Sequence, residues 1–135
     1  MGPDASLSSS HTPDSLWIAL VGPCGAGKTT IALLLEAHNL LIAEIAQEHS
    51  CVPDLWRYRR TPRALVFLDA SYETCTERKR FRWSLEDYQE QCRRLEHARQ
   101  HCDLLIATDQ MTPRQVVQQV LEYLRQWNRH PAKAG

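Results

Sequence analysis

The chain has 135 residues, enough for one domain with a real core and too few for an insertion-rich, multidomain motor. Lysine plus arginine balance aspartate plus glutamate at 16 each, so net charge gives no general attraction to nucleic acid, and no apolar run has membrane-spanning length. Five cysteines (Cys24, Cys51, Cys75, Cys92, Cys102), odd in number and without C-x-x-C spacing, argue against a disulfide framework or a zinc knuckle and fit a reducing compartment.

Residues 1–14 are rich in serine and proline and too polar to pack, so they are expected to form a disordered tail, as are residues 129–135. With no basic-then-apolar leader pattern ahead of the domain, the expectation is a cytoplasmic protein whose single folded domain spans 15–128. The apolar run Leu16-Trp17-Ile18-Ala19-Leu20-Val21 predicts the first strand. It leads into Gly22-Pro23-Cys24-Gly25-Ala26-Gly27-Lys28-Thr29, which matches G-x-x-x-x-G-K-[ST] in full and takes three of the chain's five glycines.

A loop so poor in side chains turns successive backbone N–H groups toward the oxygens of a polyphosphate. Lys28 adds a positive charge against the β- and γ-phosphates, and Thr29 offers a hydroxyl to Mg²⁺. The helix predicted from Lys28 through Thr30 to about Asn39 aims its positive end at the same anion. Cys24 inside the loop reads either as an oxidation-sensitive thiol or as a small residue tolerated there.

Leu40-Leu41-Ile42-Ala43-Glu44-Ile45 predicts a second, buried strand, although Ile31, Leu34, Leu35, Ile42 and Ile45 also suit a continuing helical stripe. Residues 46–63 hold Pro53, Pro62, Trp56, Tyr58 and the arginines Arg57, Arg59, Arg60 and Arg63, a composition of loop with a short helix. That segment suits a nucleic-acid strand, an anionic acceptor or plain solvation, and the neutral overall charge weighs against nucleic acid.

Ala64-Leu65-Val66-Phe67-Leu68, closed by Asp69, predicts a third strand buried on both faces. Ser71 caps a helix to about Lys79, and Ser84 with Asp87 starts another that buries Leu85, Tyr88, Cys92 and Leu95. Asp103-Leu104-Leu105-Ile106-Ala107 is the fourth strand. Thr112-Pro113-Arg114-Gln115 then starts a last helix whose inner face is Val116, Val117, Val120, Leu121, Leu124 and Trp127. His38, His49, His97 and His101 show no metal-ligand spacing, and the pair at 97 and 101 lacks a third ligand. Strands alternating with helices specify an α/β fold: three layers, with a short, mainly parallel sheet of about four strands flanked by helices and ligands outside the strands' carboxyl ends.

With its glycine loop, the strand ending Phe67-Leu68-Asp69-Ala70-Ser71, the arginine-rich segment after it and the Ile106-Ala107-Thr108-Asp109…Thr112-Pro113 tail, the chain resembles the P-loop nucleoside and nucleotide kinases over roughly residues 16–125. Thymidylate kinases, deoxynucleoside kinases and the ribosylnicotinamide-kinase-like group look nearest. The resemblance implies that Gly22, Pro23, Cys24, Gly25, Ala26, Gly27, Lys28, Thr29 and Thr30 cradle ATP or GTP. It implies that Glu44, or its neighbour Glu48, faces the phosphate acceptor, and that Asp69 resembles a Walker-B carboxylate holding Mg²⁺ with Thr29. Arg78, Lys79, Arg80 and Arg82 resemble lid residues that close on the phosphoryl group, while the same cluster is also a common solvated helix end.

Such kinases insert a further strand–helix unit, ending in an Asp-Arg type pair, where this chain has only the stretch from Glu44 to Asp69. The expected protein is therefore a truncated kinase that moves the γ-phosphoryl group of ATP to a small, nucleoside-like acceptor. The alternatives are a nucleotide-dependent switch or slow NTPase acting through a protein partner.

Overall fold

A computed structural model describes residues 17–58, 60–80 and 82–129, so both predicted tails, Leu16, Arg59 and Phe81 lie outside the described residues. Four parallel strands form the sheet: β1 (Trp17–Val21), β2 (Leu41–Glu44), β3 (Ala64–Asp69) and β4 (Leu104–Ala107), in the spatial order β2-β1-β3-β4. The helices are α1 (Lys28–Glu36), α2 (Tyr72–Lys79), α3 (Leu85–Arg94), α4 (Glu96–His101) and α5 (Pro113–Arg129), with single 3₁₀ turns at Gln47–His49 and Leu55–Arg57.

Strand alternation sorts the core into two layers. Ile18, Leu20, Val66, Leu68 and Ile106 point to one face, against Ile31 and Leu35 of α1 and Val116, Val117 and Val120 of α5. Ala19, Val21, Leu65 and Phe67 point to the other, against Trp56, Leu95 and Ala98. Because both faces are covered, β1 and β3 read as continuous apolar runs. Each fully buried Leu, Ile or Phe among them contributes about 1.5–3 kcal/mol.

Helix starts follow their capping residues. The Ser71 hydroxyl accepts from the Thr74 amide, Ser84 and Asp87 form a reciprocal capping box, and Thr112 and Gln115 exchange the same pair of bonds.

Three expectations need correction. The second strand is not buried: β2 is a half-exposed edge, with Leu41 46% accessible, because nothing pairs with its outer side among the described residues. The helix beginning at Ser84 does not bury Leu85, which is exposed, and it breaks at Leu95, where the chain restarts as α4. Within α3 the buried position is Gln91, while Tyr88 is partly buried against the core and Leu95, at the helix end, is buried as expected. The first helix stops at Glu36, and Asn39 closes the following turn at φ 64°. The side chain of Trp127 lies outside the described residues.

Between β2 and β3 only the two 3₁₀ turns occur among the described residues. With no strand inserted there, β2 pairs directly with β1. No described helix is long and apolar enough to cross a membrane.

Candidate functional site

The loop from Gly22 to Gly27 leaves β1 at its carboxyl end and delivers the chain into α1. It is shaped by contacts with β3, α2 and α3. Gly22 has φ 154°, and a Cβ there would lie 2.2 Å from the Leu68 carbonyl oxygen, so the approach of β3 admits no side chain. Gly25 abuts the Cys75 backbone in the same way. Gly27 differs: its φ of 101° is left-handed, yet a Cβ would meet nothing within 4 Å. Only backbone conformation requires a glycine at that position.

The Cys24 amide donates to Gln91 Oε1 at 2.9 Å, and the Ala26 amide to Pro23 O at 3.1 Å. Lys28, Thr29 and Thr30 are the first turn of α1, so their amides have no intrahelical acceptor. They and the helix dipole supply donors and positive potential where the loop opens. The cleft above them has a volume of about 760 Å³ and is walled by the loop from Cys24 onward, Glu44, Glu48, His49, Arg78, Lys79, Thr108, Met111 and Pro113.

The Lys28 ammonium donates to Gly22 O at 2.6 Å and Pro23 O at 3.1 Å and pairs with Glu48 at 3.2 Å. Thr29 Oγ1 donates to Glu44 Oε1 at 2.8 Å. Arg78 Nη1 donates to Gly25 O, Ala26 O and Thr108 Oγ1, and Nη2 to Thr108 O at 2.7 Å. That guanidinium therefore ties the loop to the segment after β4. Asp109 accepts from the Ser71 amide, which holds its carboxyl below the usual carboxylate range and fixes the same segment to the start of α2. Burial pushes the Cys75 thiol beneath Gly25 up to about 12.

The structure thus brings Lys28, Thr29, Thr30, Glu44 and Arg78 to one cleft with Cys24, Gly25, Ala26 and Gly27. Gly22 and Pro23 sit behind it, their carbonyls on Lys28. It does not bring Asp69 there. Asp69 Oδ1 accepts from the Ala70 amide and Oδ2 from Arg99 at 3.1 Å, and the residue is not part of the cleft wall. Arg82 is exposed and also stands outside the wall, as does Arg80, whose φ of 59° ends α2.

A second cavity of about 500 Å³ lies beside the first, lined by Trp17, Ala43, Ile45, Trp56, Tyr58 and Arg60, and Glu44 belongs to both walls. Trp56 of that wall is anchored by Gln47, which is fully buried: Oε1 accepts from the Trp56 amide, and Nε2 donates to Val52 O and Arg94 O.

Sequence reasoning passed over Gln47, Gln91 and Arg99. Only Gln91 carries a local signal, since it is a polar residue on the helix face shared by Tyr88, Cys92 and Leu95. Comparison of the chain with protein-family models gives no match, and comparison with curated proteins gives none.

Proposed function

We propose that the protein is a P-loop kinase-like enzyme that binds ATP or GTP with Mg²⁺ in the glycine-loop cleft and transfers the γ-phosphoryl group to a small acceptor in the adjoining aromatic cavity. The observation that carries this reading is the shared wall: Glu44 touches Thr29 on the phosphate side and borders the Trp17, Trp56 and Tyr58 cavity on the other. Donor amides and Lys28 favour the triphosphate, and Met111 and Pro113 offer apolar surface to the base. The neighbouring rings suit a planar acceptor such as a nucleoside.

Thr29 Oγ1 and Glu44 Oε1 are hard oxygen donors 2.8 Å apart. That is close to the ~2.9 Å edge of an octahedron with metal–oxygen distances of ~2.0–2.1 Å, so the pair fits Mg²⁺, which when bound neutralises charge on the phosphates. Glu44 then orients the acceptor hydroxyl toward the γ-phosphorus. The bond from the β–γ bridging oxygen to that phosphorus breaks as the acceptor oxygen bonds to it, the hydroxyl proton passes to the Glu44 carboxylate and from there to solvent, and the nucleoside diphosphate leaves. Arg78, held at the loop by carbonyl acceptors, supplies positive charge at the rim.

Calorimetry with ATP or GTP plus Mg²⁺ tests the reading, with nucleosides and small alcohols screened for ATP-dependent mass gain. The expected result is binding by the wild type, an affinity at least tenfold weaker in Lys28→Ala, and a phosphorylated acceptor. No heat with either nucleotide, or unchanged affinity in Lys28→Ala, refutes it. A second reading, hydrolysis coupled to a protein partner, draws on the β2 edge, which has no pairing strand among the described residues and carries exposed Leu41. Phosphate release without any phosphorylated acceptor selects that reading.

A further inference from the structure

On the wall of the same cleft, three side chains of different donor chemistry meet. Cys24 Sγ lies 3.4 Å from His49 Nε2 and 3.9 Å from Glu48 Oε2, and that oxygen lies 3.6 Å from the same histidine nitrogen. A tetrahedral zinc ion with Zn–S ~2.3 Å, Zn–N ~2.0–2.1 Å and Zn–O ~2.0–2.2 Å sets donor–donor edges at about 3.3–3.6 Å. The observed triangle differs from that by no more than a few tenths of an ångström per edge.

We propose that Cys24, Glu48 and His49 form a zinc-binding site with three protein ligands and a fourth position open to the cleft. Two further observations point to a ligand. The Glu48 side chain is only 6% exposed, so the carboxylate that presents Oε2 to Cys24, His49 and Lys28 is held in place by burial, and its other oxygen, Oε1, is buried without a hydrogen-bond partner. Gln91 Nε2 donates to Cys24 Sγ at 3.3 Å while the thiol itself donates toward Glu48 Oε2, so loss of the thiol proton leaves a thiolate that already has one supporting donor.

Thiolate and imidazole select a borderline ion such as Zn²⁺ over the Mg²⁺ favoured by the oxygen pair at Thr29 and Glu44. Ligation takes the proton from the Cys24 thiol to solvent and uses His49 as neutral imidazole through Nε2. The dication is then balanced by one thiolate and one carboxylate. Lys28, 3.2 Å from Glu48, loses its counter-charge in the process. Zinc and Lys28 therefore compete for one carboxylate, and zinc occupancy frees the lysine. The site does not depend on the nucleotide reading, because the metal alone probes it.

The experiment titrates the reduced full chain with Co²⁺ and then displaces it with Zn²⁺. The expected result is one equivalent bound, with a thiolate-to-cobalt charge-transfer band and the intense visible bands of a tetrahedral site. The band disappears in Cys24→Ala, affinity falls by ~100-fold or more in His49→Ala, and Cys51→Ser binds as wild type. Lys28→Met binds zinc more tightly than wild type, as expected when a competing cation is removed from a ligand. Absence of the thiolate band in wild type, or its retention in folded Cys24→Ala, overturns the proposal. If Cys24→Ala does not fold, His49→Ala decides, since its side chain is 58% exposed and outside the core: unchanged zinc affinity there overturns the site.

Discussion

Replacing Gly22 and Gly27 separately by alanine distinguishes two reasons for glycine within one loop. At Gly22 the new Cβ would be 2.2 Å from Leu68 O, about 1.2 Å short of ordinary contact, and the obstacle is β3 backbone in the middle of the sheet. Overpacking of that kind costs about 1–3 kcal/mol, and the unfavourable φ adds about 1–3 kcal/mol. At Gly27 the Cβ meets nothing, so only the left-handed conformation is charged, about 1–2 kcal/mol. At roughly 4 °C per kcal/mol, Gly22→Ala should lower Tm by about 8–24 °C and Gly27→Ala by about 4–8 °C. Urea and thermal unfolding followed by tryptophan fluorescence, with Trp56 buried in the core, measures both. A Gly22→Ala loss no larger than that of Gly27→Ala refutes the argument that β3 dictates the first glycine.

Gln47→Leu should cost about 2–4 kcal/mol in urea unfolding, because it strands the buried Trp56 amide and frees two carbonyls at once. Thr29→Val, nearly isosteric, should abolish the gain in nucleotide affinity that Mg²⁺ gives while leaving metal-free binding within about threefold, read by calorimetry with and without chelator. Asp109 titrates below its ordinary value when folded, so its contribution to stability is present above that value and fades as pH falls through the folded pKa. The stability gap between wild type and Asp109→Asn should accordingly close on acidification below about pH 4 in pH-resolved urea titrations. Cys75, raised from 9.0 to about 12, stays a thiol when folded, and the stability tied to it is present below pH 9 and lost as pH climbs toward 12. Mass-resolved alkylation at pH 8 should label exposed Cys51 rapidly and Cys75 only at the unfolding rate.

Where the fold was legible, a local rule decided it. The apolar runs at 17–21 and 64–68 needed no partner to be recognised as two-sided strands, and Ser71, Ser84 and Thr112 each announce a helix through a side chain that bonds three residues ahead. The illegible parts depend on distant partners. Leu40 to Ile45 is apolar enough for a central strand, and only the lack of a paired strand on its outer side among the described residues makes it an edge. Asp69 has the sequence of a metal carboxylate, but its environment is set by Arg99, 30 residues on. Glu48 looked interchangeable with Glu44, whereas the 3₁₀ turn at 47–49 buries it against Lys28 and leaves Glu44 on Thr29. His49 has no ligand spacing because its companions come from the loop after β1 and from its own neighbour, a grouping that no one-dimensional pattern encodes.

The glycine loop is held by Leu68, Cys75, Arg78 and Gln91, none of them in the half of the chain that contains the motif. During synthesis on the ribosome, residues 17–58 emerge with every motif position present and none of these supports available. The loop's conformation is consequently a late product of assembly, complete only after α3 has docked, and under the proposed function an N-terminal fragment carrying the whole signature should have no affinity for phosphate.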